Sequence, residues 1–195
     1  MESFDQELKR KQDFDELFER TLELRKGDSV PVVEYNLPYP KEDFLKYIGE
    51  NKNVLLHGSS NKDLEKLEPR QANDGAKKFG NKKGVYAVKD PVLPIFHAIQ
   101  DKEKLRGVIR SGSRKDLDTG EMKYNFQIPI GMVEIKPWKG GIIYIFNKAD
   151  FTQGVDDDDE LIDEWVSEKE VRPIAKLEVE PEDFRFLNEI EGHND

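Results

Sequence analysis

The 195-residue sequence predicts an α+β fold, with helices gathered early and strands dominating later. Three observations carry that prediction. Apolar residues recur at roughly helical spacing between Phe4 and Leu22. Short apolar runs of strand length follow, among them NVLLH (53–57), KGVYAV (83–88) and GIIYIF (141–146). Helices and strands do not alternate, which argues against a doubly wound parallel sheet. The chain is polar, 36% hydrophobic and 37% charged, yet 11 Phe, 6 Tyr and 2 Trp supply the mass for a real core. One ordered domain with polar ends is expected.

Residues 3–26 read as an amphipathic helix. Ser3 and Gln6 fit a capping box, and Gly27 follows as a stop signal. The stripe Phe4, Leu8, Phe14, Leu17, Phe18 and Leu22 packs on the domain or meets a partner, packing being the commoner use of such a face. Residues 30–39 read as extended, with Pro31, Pro38 and Pro40 opposing helix. Pro40 then opens a short helix, 40–48, that Gly49 closes. Residues 53–57 and 83–88 are strands, and a short helix lies near residues 94–100. Residues 108–120 read as a polar excursion ending in the turn DTGE. Strands over 124–135 and 141–146 are joined around KPWKGG as a hairpin. Asp156 to Glu160 reads as a mobile acidic loop, residues 164–167 and 171–179 as late strands, and the last ten or so residues as a tail. The organisation expected is a helical extension (1–50) packed on a core domain (51–186), followed by an acidic tail (187–195).

Charge and composition narrow the function. Cysteine is absent, which excludes disulfides, zinc–cysteine sites and thiol nucleophiles. No apolar signal region opens the chain and no apolar run reaches membrane-spanning length, so a cytoplasmic protein without membrane partners is expected. Residues 156–195 carry 16 acidic and 4 basic residues, whereas residues 62–115 carry 14 basic and 7 acidic. Whole-chain acidity, a net charge of −10, argues against general nucleic-acid binding. The local basic stretch suits a small anionic ligand, or equally a solvated lysine-rich face. Phosphate-binding loops, dinucleotide glycine fingerprints and serine-nucleophile elbows are not found.

Three segments bear chemistry together: LLHGSS (55–60), KGVYAV (83–88) and DEWVS (163–167). Taken singly, His57 reads as a structural histidine, Tyr86 as a core aromatic and Glu164 as a surface carboxylate. Their order, their placement on strands and intervals of 29 and 78 residues change that. The set resembles the three motifs of the diphtheria-toxin-like branch of ADP-ribosyltransferases, whose poly(ADP-ribose) polymerase members carry a His–Tyr–Glu triad. The resemblance spans residues 54 to about 184.

The resemblance implies an ADP-ribosyltransferase-like fold: two packed, antiparallel-rich sheets around an NAD cleft, with peripheral helices. It implies NAD as substrate, no metal, and transfer of ADP-ribose to a macromolecule or water, with a protein acceptor expected ahead of nucleic acid. Single-unit transfer is expected ahead of polymer, since the sequence carries no feature dedicated to elongation. His57 would bond the adenosine-side ribose, backbone groups of Gly58 the nicotinamide amide, and Tyr86 would stack on the nicotinamide ring. Glu164 would be the catalytic carboxylate beside the nicotinamide ribose. Glu168 and Glu170 are rivals for that role. Glu164 is preferred because it precedes the aromatic Trp165 and opens the strand, as the motif requires; alternation aims Glu164, Val166 and Glu168 to one strand face and Trp165 and Ser167 to the other. Ser59, Ser60 and Arg70 are candidates for ribose or pyrophosphate, although Arg70 equally suits an ion pair with Glu68. Two departures stand out. Pro94 occupies the place of a small hydroxyl residue, and His97 that of a second stacking aromatic, where it stacks on nicotinamide or simply lies on its helix. Asp156 to Asp159 lack the glycine and glutamate of a calcium loop. The alternative function is a fold of this type kept as a binding module without turnover.

Overall fold

A computed structural model describes residues 3–71, 82–116, 118–155 and 160–194. The first helix, α1 (Phe4–Glu23), begins where the capping box puts it: the Ser3 hydroxyl accepts from the Gln6 amide, and the Gln6 side chain accepts from the Ser3 amide. It ends at Glu23, short of the expected Lys26. Only the later half of its stripe is buried. Phe14, Leu17 and Phe18 enter the core, and Phe14 packs against Phe44 and Tyr47 of α2 (Lys41–Asn51), whereas Phe4 and Leu8 stay 79% and 48% exposed. Gly49 does not close α2, which runs through it to Asn51. A Cβ there would run into the Lys89 carbonyl, its carbon only 3.2 Å away, so the glycine serves close approach rather than termination.

Among the described residues three sheets form, not two. The central one comprises β1 (Val54–Ser59), β6 (Gly141–Asn147) and β9 (Ala175–Val179), antiparallel in the order β1-β6-β9. The second comprises β2 (Arg70–Gln71), β3 (Lys83–Ala87), β7 (Thr152–Val155) and β8 (Leu161–Ser167), antiparallel in the order β2-β3-β8-β7. Strands thus occupy all three motif segments, although β8 opens at Leu161 rather than at Glu164. The short helix α3 (Val92–Ala98) follows β3. The acidic residues 156–159 lie outside the described residues.

The third sheet overturns several expectations. β4 (Arg110–Lys115) pairs antiparallel with β5 (Met122–Pro129), so the polar excursion is one arm of a hairpin. Its residues are mostly exposed and give no apolar alternation to read. β5 stops at Pro129 and turns into the short helix α4 (Ile130–Val133), and it shares no sheet with β6. KPWKGG is therefore a crossover between sheets, with Lys136 at a φ of 48° and Trp138 bridged to Gln100. The late strand is confined to β9, with residues 171–174 leading into it. The acidic end folds as well: β10 (Glu191–His193) pairs parallel with β5, and buried His193 donates from Nε2 to the Val108 carbonyl at 2.9 Å.

Strand alternation divides the core in two. Val54 and Leu56 of β1, with Ile143 and Ile145 of β6, face the helices and the third sheet. Phe96, Phe126 and Phe184 meet there at ring-centroid distances of 4.8–5.6 Å. Leu55, Ile142, Tyr144 and Phe146 face the second sheet, where Val85, Ala87 and Trp165 complete a smaller core. Among the described residues no helix is long and apolar enough to cross a membrane.

Candidate functional site

The central and second sheets touch along one edge. Leu56 and Val88 exchange both backbone hydrogen bonds, at 2.7 and 3.1 Å. β1 and β3 share no ladder beyond this bridge, and a cleft of about 820 Å³ is lined from both sheets and from α3. That volume suits a small-molecule site, typically about 300–1,000 Å³. His57, Gly58, Ser59, Arg70, Tyr86, His97 and Glu164 all line it, as does Pro94. Ser60 is not part of the lining.

The ladders explain the convergence. Tyr86 pairs with Val166 and Arg70 with Gly84, and cross-strand partners share a face. Arg70, Gly84, Tyr86, Glu164 and Val166 therefore lie on one face of the second sheet, while Val85, Ala87 and Trp165 are buried on the other. Glu168 and Glu170 lie past the end of β8 and do not line the cleft. Lys82 approaches Glu168 at 3.9 Å, and Lys66 holds Glu170 at 2.5 Å. Arg70 has no ion-pair partner among the described residues, because Glu68 faces Lys66 instead, at 3.5 Å.

Gly58 is shaped by two constraints. A Cβ there would lie 2.6 Å from the Pro94 carbonyl carbon and 2.9 Å from its Cα, so the bare glycine lets α3 lie against β1. The backbone has a separate role. In an antiparallel ladder successive residues aim their amide and carbonyl to opposite sides. Those of Leu56 go to Val88, so those of Gly58, two residues on, point the same way, off β6 and toward the cleft.

The two cleft imidazoles are held as opposite tautomers. His57 donates from Nδ1 to the Tyr86 carbonyl at 2.7 Å. Burial, reinforced by Lys102 and Arg70, lowers its pKa, so Nε2 keeps its lone pair and accepts. At His97 the Gln100 amide donates to Nδ1 at 3.3 Å, so Nε2 carries the proton and donates. The ring is open to the cleft yet walled by protein, and that enclosure, with His57 and Lys102 nearby, pushes its pKa to about 4. The Tyr86 hydroxyl donates to the Lys82 carbonyl at 2.9 Å.

Several contributors are not evident from the motifs. Asp163, beside Glu164, accepts from the backbone amides of Lys89 and Asp90 at 3.0 Å and so pins the turn that launches α3. Asp90 extends the anchor, accepting from the Val92 amide at 2.9 Å and the Tyr124 hydroxyl at 2.7 Å. Tyr144, fully buried, donates to the Asn61 carbonyl and accepts from the Leu64 amide, fixing the loop along one cleft wall. A phenol inside the apolar run GIIYIF was the available signal, since a buried hydroxyl needs partners. Gln100 and Lys102, which also line the cleft, carried no local signal. No family model, curated protein or solved structure matches the chain.

Proposed function

We propose that this cleft binds NAD within an ADP-ribosyltransferase-type fold and that the chain transfers ADP-ribose from it. The reading rests on one observation: His57, Tyr86 and Glu164, 29 and 78 residues apart in the chain, line one dinucleotide-sized cleft. The surrounding groups fit the ligand's chemistry. The outward amide and carbonyl of Gly58 match the acceptor and donor of a carboxamide. Tyr86 offers an aromatic face to the cationic nicotinamide ring, an attraction that strengthens out of water. Arg70 suits the diphosphate through paired hydrogen bonds, and the lone pair on His57 Nε2 suits a ribose hydroxyl.

The reaction breaks the bond between ribose C1′ and the nicotinamide nitrogen. The electron pair leaves with nicotinamide, which departs neutral, and the positive charge passes to an oxocarbenium-like ribose. The Glu164 carboxylate stabilises that charge. An acceptor oxygen or nitrogen, or water, then bonds to C1′ and yields its proton to Glu164 or solvent.

The test is turnover of labelled NAD in a cell lysate, following nicotinamide release and label incorporation together. Glu164→Gln is expected to lower both by about 100- to 1000-fold while NAD binding persists. Binding without turnover in either protein would instead make the fold a ligand-binding module.

A further inference from the structure

The two cleft imidazoles present complementary groups, an acceptor at His57 Nε2 and a donor at His97 Nε2–H. Neither arrangement is left to chance. The Tyr86 carbonyl fixes one tautomer, and the side-chain amide of Gln100, a residue only 3% exposed, fixes the other. His57, His97 and Lys102 line the same cleft, so the three groups share one neighbourhood.

A neutral donor beside a neutral acceptor matches a pair of vicinal hydroxyls, one giving its proton and the other receiving one. It does not match a phosphate ester, whose oxygens only accept and would face the His57 lone pair. Lys102, also on the cleft lining, bears on which half of a dinucleotide lies here. It repels a cationic nicotinamide and the cationic ribose formed from it, and it favours the half that carries only hydroxyls and the diphosphate.

We infer that His97, oriented by Gln100, acts with His57 to read the free cis-diol of the adenosine-side ribose. His97 is then a hydrogen-bond donor to the ligand rather than a stacking ring, and the site selects NAD over its 2′-phosphorylated form. The 2′-hydroxyl donates to His57 Nε2, and the 3′-hydroxyl accepts from His97 Nε2–H. This assignment rests on the NAD reading above.

The experiment is calorimetric titration of the full chain with NAD and with NADP, for wild type, His97→Phe and Gln100→Leu. His97→Phe keeps a flat ring and removes the donor. Circular dichroism and thermal unfolding check that each variant is folded. Wild type is expected to bind NAD at least about tenfold more tightly than NADP. His97→Phe is expected to weaken NAD by about tenfold and NADP much less, so the preference collapses, with Gln100→Leu changing it in the same direction. Equal or tighter NADP binding by wild type would show Lys102 capturing the 2′-phosphate and would overturn the assignment. So would a His97→Phe protein that keeps NAD affinity and preference, the behaviour of a stacking ring. Both outcomes leave the NAD reading standing. If wild type binds neither dinucleotide, that reading falls and the diol assignment falls with it.

Discussion

Replacing Gly58 with alanine tests how closely the site depends on packing between β1 and α3. The new Cβ would sit 2.6 Å from the Pro94 carbonyl carbon, against an ordinary carbon–carbon contact of about 3.5–4.0 Å. The obstacle is backbone, so no rotamer change relieves it, and α3 must withdraw on the order of 1 Å. Overpacking of this kind costs about 1–3 kcal/mol. In a chain of this length each kcal/mol lowers Tm by about 2–4 °C. The displacement moves His97 and Pro94, which line the cleft, and for the proposed transfer reaction a misplacement of about 1 Å is expected to cost on the order of 100-fold in rate. Urea unfolding and nicotinamide release measured on one preparation give both quantities. Gly131→Ala is the control, since nothing lies within 4 Å of its added Cβ, and it is expected to stay within about 0.5 kcal/mol of wild type. A Gly58→Ala protein as stable as that control, with unchanged turnover, would refute the reasoning.

Three further outcomes follow from the anchoring contacts and from the imidazoles. Tyr144→Phe leaves the Asn61 carbonyl and Leu64 amide without the phenol, and is expected to cost about 1–3 kcal/mol in urea unfolding and to weaken NAD binding through the loosened wall. Asp163→Ala releases the amides of Lys89 and Asp90, whose hydrogen exchange is expected to accelerate by roughly tenfold or more; unchanged exchange would remove Asp163 as the anchor of the turn. His97 has its pKa lowered from 6.5 to about 4, so between those values the unfolded chain binds more protons than the folded one. Its contribution to stability is present in full above about pH 6.5 and is lost as pH falls toward 4. Unfolding free energies measured across that window should therefore fall with pH, and less steeply in His97→Phe.

Much of the local structure was legible because its causes are local. The capping pair Ser3 and Gln6 sit three residues apart, and both hydrogen bonds form between them. The apolar runs around residues 55, 85 and 143 each fill a buried strand. The motif segments likewise put His57, Tyr86 and Glu164 on strands, as their patterns indicated. Where patterns misled, the deciding partner was distant. Phe4 and Leu8 continue the stripe of α1 in sequence, but α2 covers only its later half. Gly49 reads as a stop until Lys89 is brought against it. β4 shows no alternation because it is an exposed edge strand, identified only by the strand it pairs with.

The sequence by itself determined an early helix with its first cap, a later set of buried strands, and the three segments that carry an imidazole, a phenol and a carboxylate. Short-range geometry suffices for these, since helical and strand periods and cap contacts involve residues a few positions apart. Only the tertiary structure decided that a third sheet forms, that the C-terminal residues return to pair with β5, and that Gly58 yields its missing side chain to Pro94 while its amide faces the cleft. It alone decided which nitrogen of His57 and of His97 holds the proton. A tautomer is set by the group that meets the ring: for His57 that is a carbonyl 29 residues away, and for His97 an amide that the fold buries.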